Sequence, residues 1–184
     1  FRNVEGAYEF GTDLRHPNFV AEASRDTFMG YRRENGSVGT RNYIGILTSV
    51  NCSATAARLI ASAFGPEELA QYPNVDGVVA FVHGTGCGMA GQGEGFEALQ
   101  RVMWGYARNA NHGGVLMVGL GCEMNQIDWL LEAYGLKQGP LFKAMNIQDS
   151  MGLANTVETG IAMVRDMLPE VNKAKREPCP VSHL

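Results

Sequence analysis

Three of the four cysteines in this chain of 184 residues stand at a regular interval. Cys52, Cys87 and Cys122 are each 35 residues apart, which is about the length of one strand-plus-helix unit. Each follows an apolar run, in a short segment rich in glycine and polar residues. Thiolates bind metals and iron–sulfur clusters, and helix N-termini lower the pKa of a nearby thiol. The spacing therefore favours a site in which three thiolates hold a metal or a cluster and one coordination position stays open.

Two other accounts of these cysteines remain open at this point. Cysteine is a small apolar residue that suits the crowded start of a helix, so all three could simply be packed. Alternatively, one of them could act alone as a nucleophile. No Cys-x-x-Cys pair is present to strengthen the metal hypothesis.

Two residues beside these cysteines are candidates for catalysis. His83 directly follows an apolar run, where an imidazole could act as a general base or a metal ligand. Glu123 adjoins Cys122 and could transfer a proton or bind a metal, although a glutamate near a helix N-terminus is also favoured by the helix dipole alone. A histidine that is only hydrogen-bonded within its loop is the alternative for His83.

A second group of residues is suited to binding an anionic substrate. Arg41 and Asn42 precede the first apolar run, and an arginine can grip a carboxylate through two parallel hydrogen bonds. Thr85 and Gly86, in the glycine-rich loop 83–95, offer backbone amides that could cradle the same group, and Asn125 follows the third cysteine. An exposed ion pair is the alternative for Arg41, and a tight turn is the alternative for the glycines.

The glycine-rich loop also raises the possibility of a nucleotide site, because consecutive amides before a helix bind phosphate. Its spacing is not that of a Gly-x-Gly-x-x-Gly fingerprint, it follows the second apolar run, and no P-loop lysine follows it. A nucleotide-binding domain is therefore the weaker alternative. His16 and His112 lie beside Pro or Gly and Asn, and we expect both in solvated loops.

The residues that could do chemistry are positioned by a regular alternation of elements. Short apolar runs at residues 43–50, 75–82, 114–120 and 141–147 predict strands buried on both faces. Helical patterns follow at 53–64, with Ser53 as N-cap, and at 94–107, 125–134 and 154–168. Strands joined by crossover helices run parallel. The sequence therefore predicts an α/β fold, a Rossmann-like three-layer sandwich with a mainly parallel sheet, over residues 40–171. An irregular N-terminal arm is expected at 1–39, and an exit linker toward a further region at 172–184.

Composition limits the classes of partner. The net charge is −4, and the 15 lysines and arginines form no dense cluster, so a nucleic-acid partner is not expected. No apolar run approaches the roughly 20 residues that span a bilayer, and residues 1–5 do not have the apolar pattern of a signal peptide, so a cytoplasmic location with reduced thiols is expected. The chain does not begin with Met, and we expect it to be part of a longer polypeptide.

Several segments resemble the altronate/galactarate dehydratase family in sequence and order. They lie at residues 30–33, 36–43, 50–55, 83–88, 99–101, 105–108, 118–123 and 176–184. One segment, at 148–153, departs from the family's pattern, which has Gly-Gly-Thr after a comparable Gln-acidic-Ser.

The resemblance implies a hydro-lyase that removes water from a sugar acid such as altronate or galactarate to form a 2-keto-3-deoxy acid. It also implies a divalent metal, typically iron, as Fe²⁺ or in an iron–sulfur cluster, and a small anionic substrate. The family's complete enzymes carry a β-rich N-terminal domain and a long C-terminal region, so we expect this central domain to be inactive alone and to form a homo-oligomer through itself or its neighbours. A non-catalytic scaffold or dimerisation domain is the alternative.

Overall fold

The computed structural model describes residue 11 and residues 18–184; His16 lies outside that part of the chain. In chain order the elements are β1 (Thr27–Arg32), β2 (Val38–Gly39), β3 (Tyr43–Thr48), α1 (Ala54–Ser62), α2 (Pro66–Leu69), β4 (Gly77–Phe81), α3 (Glu94–Ala107), β5 (His112–Gly119), α4 (Ile127–Tyr134), β6 (Phe142–Asn146), α5 (Leu153–Val171) and β7 (Glu177–Pro180). None of these helices is both long enough and apolar enough to cross a bilayer.

A four-stranded sheet forms the centre of the molecule. Its strands lie in the order β4-β3-β5-β6 and all neighbours are parallel. Each predicted strand and helix has a counterpart in the structure, which confirms the predicted α/β fold with a parallel sheet. The observed β3 is shorter than predicted because the chain turns at Val50, where a short 3₁₀ helix (Asn51–Ser53) leads into α1.

Helices cover both faces of this sheet and give the three predicted layers. Alternate residues of β3 point to opposite faces, as a pleated strand requires. Ile44 and Ile46 pack with α1 and α5 in one cluster that includes Ile60, Val164 and Met167. On the other face, Leu47 packs with residues of α3 and α4, among them Leu99, Met103, Ile127 and Leu130. Burial on both faces explains why the strand sequences are nearly continuous apolar runs.

A smaller antiparallel sheet joins the two flanks of the α/β unit. Strand β1 pairs with β2 on one side and with β7 on the other. The flanking segments expected to form an arm and an exit linker therefore contain strands and pair with each other. Pattern alone did not predict the pairing of β1 with β7 because these strands lie about 150 residues apart in the chain. In addition, β7 (EPCP) contains two prolines, which are tolerated only where an N–H is not needed, as on an edge strand.

Candidate functional site

The three regularly spaced cysteines meet at the carboxyl edge of the parallel sheet. We call this edge the thiol rim and define it as the loops 49–53, 82–93 and 120–126, which follow β3, β4 and β5. From β3 the chain crosses first to β4 on one side of β3 and then to β5 on its other side, so the strand order reverses between β3 and β5. Ligands of open parallel sheets bind at such a reversal point. Cys52 and Cys122 emerge on either side of it.

Hydrogen bonds and one close backbone contact hold the first two rim loops together. The Asn51 amide donates to the Thr85 carbonyl oxygen at 2.8 Å. A Cβ atom at Gly86 would lie 2.7 Å from the Ser49 carbonyl oxygen, and this glycine has φ +100°. Only glycine tolerates both the contact and the backbone angle. Residue 86 is therefore fixed against the end of β3, and Cys87 is placed beside the loop that carries Cys52.

The same glycine-rich loop continues across the sheet edge to the third cysteine loop. A Cβ atom at Gly91 would lie 2.6 Å from the Met124 sulfur, so this part of the loop packs against the Met124 side chain. Cys87 lies between residue 86, which contacts the β3 loop, and residue 91, which contacts the β5 loop. The glycine-rich loop thus carries the second cysteine between the first and the third.

The rim thiols influence one another. Cys52, Cys87 and Cys122 are exposed, whereas Cys179 is buried in β7. The pKa of the Cys52 thiol is raised, first by desolvation and then by the charge and hydrogen bond of Cys87 and the charge of Cys122. A bound cation would reverse this effect, because positive charge favours the thiolate. Even so, no group of three His, Cys, Asp or Glu side chains within the described part of the chain is arranged to hold a metal ion as it stands.

Glu123 is a buried brace within the rim and is not exposed at its surface. Its side chain is 3% exposed. The carboxylate accepts hydrogen bonds from the Ser49 hydroxyl, from the Leu120 amide at 3.1 Å and from the Gly121 amide at 2.6 Å. These bonds join the loop after β3 to the loop after β5. The predicted catalytic residue therefore ties together the loops that carry Cys52 and Cys122.

His83 is likewise bonded within the rim. Its Nε2 donates to the Thr48 carbonyl oxygen at 2.8 Å, and its Nδ1 accepts from the Thr85 amide at 3.3 Å. Both ring nitrogens are thereby occupied. In this conformation the imidazole anchors the glycine-rich loop to β3, which is the alternative that the sequence left open, and it offers no lone pair to a substrate or a metal.

Comparison with known proteins agrees with this architecture. Residues 30–172 match the family model described as D-galactarate dehydratase/altronate hydrolase, second domain. The chain belongs to this family. The family model covers β1 to α5, and so includes the whole thiol rim.

Three curated relatives of this family member are named altronate dehydratase or galactarate dehydratase. The chain is 32% identical to an altronate dehydratase of Bacillus subtilis over 86% of its own length and 31% of the relative. It is 32% identical to an altronate dehydratase of Escherichia coli over 96% of its length and 34% of the relative. Identity to the L-threo-forming galactarate dehydratase of Escherichia coli is 38%, over 86% of the chain and 31% of that enzyme. The chain thus spans about a third of the length of the curated relatives it matches.

In this family member, Arg41 and Asn42 lie at the opposite edge of the sheet from the cysteines. Both precede β3, whereas the rim follows it. Asn42 is fully buried, and its amide nitrogen donates to the carbonyl oxygens of Asn74 and Val171 at 2.7 and 3.0 Å. Arg41 is 3.7 Å from Asp76 in an exposed ion pair. The structure therefore does not bring the predicted carboxylate clamp to the thiol rim.

Two further predicted positions differ from their expected surroundings. Asn125 is fully buried, with its amide nitrogen 3.3 Å from the Ser49 carbonyl oxygen, and its Oδ1 has no hydrogen-bond partner in the part of the chain that the structure describes. Through this hydrogen bond Asn125 links the loop after β5 to the end of β3. His112, expected in a solvated loop, is the half-buried first residue of β5, and its Nδ1 lies 2.8 Å from the Tyr106 carbonyl oxygen.

Sequence reasoning missed the contribution of two small polar residues to the rim. Ser49 bonds to Glu123, and its carbonyl oxygen accepts a hydrogen bond from Asn125. Ser53 is the N-cap residue of α1, as predicted, but its hydroxyl bonds to the Val118 carbonyl oxygen at 2.7 Å and makes no capping bond to the helix. The sequence offers one signal for Ser49: the apolar run predicted as a strand changes to polar residues at 48–49, which indicates that the strand ends there.

The rim has an unusual charge composition. Its three loops and the loop 147–152 after β6 contain no lysine or arginine. An anionic substrate at this edge would therefore meet thiols and backbone amides, but no lysine or arginine side chain from these four loops.

Proposed function

We propose that this chain provides the metal-binding part of the active site of a sugar-acid dehydratase. The observation that carries the proposal is the convergence of three cysteine loops at the reversal point of the sheet, bound together by Glu123, His83 and Gly86. Structural frameworks of this kind commonly position ligand-binding groups on loops. The family relationship supports a hydro-lyase, and altronate and galactarate are the substrates to test first, because the relatives named above act on them.

The ligand chemistry of the rim fits a thiophilic divalent metal, with iron as the expected metal. Cys52, Cys87 and Cys122 would hold it, either as Fe²⁺ or within an iron–sulfur cluster. Exposed thiols on loops can approach one another by small loop movements when a cation offsets their mutual repulsion. When bound, the metal would supply a Lewis acid for the departing hydroxyl group.

The residues of the chain itself would do two things in this reaction. His83 and Glu123 hold the loops in register, and backbone amides of the glycine-rich loop other than that of Thr85, which donates to His83, would hydrogen-bond a substrate oxygen. Dehydration also needs a base for the proton α to the carboxylate and a cationic partner for that carboxylate. Since the rim loops contain no arginine or lysine, we propose that both come from outside them, in the longer polypeptide or in a second copy.

Metal binding by the chain tests the proposal directly. Anaerobic titration with Fe²⁺, or with Co²⁺ as a spectroscopic probe, is expected to give one metal per chain and a sulfur-to-cobalt charge-transfer band. Cys52→Ser, Cys87→Ser and Cys122→Ser should each weaken binding at least tenfold. Cys179→Ala is the matched control, because this thiol is buried in β7 away from the rim. Binding that survives all three rim substitutions, or no binding by the unchanged chain, would reject the metal site.

A scaffold role is the second candidate, and two observations favour it: both ring nitrogens of His83 and the carboxylate of Glu123 are engaged within the fold. Calorimetric titration with galactarate separates the two candidates. The metal site predicts sugar-acid binding that requires the loaded metal and is lost in Cys87→Ser. A scaffold predicts no sugar-acid binding under either condition.

A further inference from the structure

Two of the three rim thiols lie closer to each other than to the third. Cys87 acts on the Cys52 thiol through a hydrogen bond as well as through its charge, whereas Cys122 acts on Cys52 through its charge alone. The first two sulfur atoms are therefore within hydrogen-bonding distance, and the third is not bonded to Cys52. Both members of the close pair are exposed, so a small solute can reach them.

The backbones beside this pair are fixed against each other. The Asn51 amide, next to the first cysteine, donates to the Thr85 carbonyl oxygen at 2.8 Å. A Cβ atom at Gly86, next to the second cysteine, would lie 2.9 Å from the Val50 Cα atom. A disulfide requires Cα atoms about 4.4–6.8 Å apart. Two loops in direct backbone contact can meet that requirement through side-chain rotation and small shifts.

The loop that carries Cys122 has other attachments. Its Leu120 and Gly121 amides donate to the buried Glu123 carboxylate. A Cβ atom at Gly121 would lie 2.8 Å from Oε1 of Gln148, in the segment after β6. Movement of this loop toward the other two thiols would break these contacts. Of the three pairs that the rim thiols could form, the structure therefore favours one.

We propose that Cys52 and Cys87 are a reversible oxidation site, which a peroxide converts into a disulfide while Cys122 remains a free thiol. In the first step one thiol of the pair attacks the peroxide, so that an S–O bond forms, the O–O bond breaks and one water leaves. In the second step the other thiol attacks the resulting sulfenic acid, so that the S–S bond forms, the S–O bond breaks and a second water leaves. The two sulfurs give up two electrons, the peroxide takes them up, and both thiol protons end in water.

The disulfide would leave one free thiol at a rim where the proposed metal site uses three. This consequence rests on the proposed function, whereas the pairing itself does not. Cysteine binds a metal as the free thiolate, so a disulfide removes two ligands at once. A metal on the reduced rim would in turn shield the same sulfurs from peroxide. Oxidation and metal binding are therefore expected to exclude each other.

Peptide mapping of the metal-free chain tests the pairing. The reduced chain has four free cysteines. After treatment with a small excess of hydrogen peroxide and alkylation of the remaining thiols, we expect a cross-linked peptide that joins Cys52 to Cys87, with Cys122 and Cys179 alkylated. Dithiothreitol should restore all four thiols.

Two variants serve as controls for this experiment. Cys122→Ser should form the same disulfide at an unchanged rate, and Cys87→Ser should form no disulfide within the chain. Circular dichroism spectra verify the fold of both. A main product that joins Cys122 to either of the other rim thiols overturns the proposal. So does oxidation of the separate thiols to sulfinic acids, or no reaction, in the unchanged chain.

Cobalt titration of the oxidised chain tests the consequence for the metal. Oxidation is expected to weaken Co²⁺ binding roughly tenfold or more, and reduction followed by removal of the reductant should restore it. A reduced chain that forms the disulfide but binds no cobalt would sink the metal site and leave the oxidation site standing. An oxidised chain that binds cobalt as tightly as the reduced chain overturns the mutual exclusion, because the metal would then not need these two thiols.

Discussion

Replacing the Glu123 carboxylate by an amide should destabilise the whole domain, because this group is a structural brace. The carboxylate accepts three hydrogen bonds at a position that is 3% exposed. Glutamine keeps the size of the side chain but turns one acceptor into a donor. In one orientation its NH₂ group faces the Gly121 amide, and in the other it faces the Leu120 amide. Either way, one buried N–H loses its acceptor.

The magnitude follows from that single loss. A hydrogen bond to a charged group contributes about 1.5–3 kcal/mol, and an unsatisfied buried donor costs a similar amount. We therefore expect Glu123→Gln to lower the free energy of unfolding by about 2–3 kcal/mol. In a chain of this length, that corresponds to a drop of roughly 5–10 °C in the melting temperature. Glu123→Ala, which leaves both amides and the Ser49 hydroxyl without this acceptor, should cost more.

Urea denaturation of the isolated chain, with a thermal melt as a second measure, is the appropriate assay. Glu132→Gln provides the control, since the same change is made at an exposed position of α4 and should stay within about 0.5 kcal/mol of the unchanged protein. If Glu123 served only in proton transfer, Glu123→Gln would be as stable as the control. That result would refute the bracing role.

Two more predictions concern Gly86, in the rim, and His112, at the start of β5. Gly86→Ala should lower the free energy of unfolding in urea by about 2–4 kcal/mol, because the new Cβ would lie 2.7 Å from the Ser49 carbonyl oxygen at a residue with positive φ. Gly84→Ala, where nothing lies within 4 Å of the new Cβ, should be close to neutral, and equal losses for the two variants would contradict the close contact. The pKa of His112 is lowered, first by burial and also by Arg33, against an opposing hydrogen bond to the Tyr106 carbonyl. The unfolded chain therefore binds this proton more readily, so the free energy of unfolding is unaffected by His112 above about pH 6.5 and decreases as the pH falls from there through the folded pKa. A pH series of melts in which His112→Gln retains the same decrease would contradict this assignment.

The sequence was informative where local pattern and topology suffice. The strands and helices of the α/β unit follow from apolar periodicity, and the meeting of the cysteines follows from the rule that carboxyl ends of parallel strands share an edge. The same rule, applied to Arg41 and Asn42, would have placed them at the other edge, since they precede β3. The structure places both residues before β3, at the edge opposite the cysteines.

The roles of individual polar residues could not be predicted in this way. Whether His83 and Glu123 are free or bonded depends on Thr48 and Ser49, which reach them only after β3 and its neighbours have assembled. The pairing of β1 with β7 depends on two segments about 150 residues apart, neither of which has a period that indicates a strand. Such long-range partners leave no signal in a single sequence.

The pairing of β1 with β7 also has a mechanical consequence. Thr27 lies opposite Pro180 and Gly30 opposite Glu177, so the chain enters and leaves the α/β unit at the same end of one two-stranded ribbon. Tension applied between the segments that precede β1 and follow β7 would separate these two strands one residue pair at a time, and would not load all of their hydrogen bonds at once. The pairing of β1 with β7 would therefore separate before the α/β unit, while the thiol rim at the opposite edge of the parallel sheet lies outside the path of the tension.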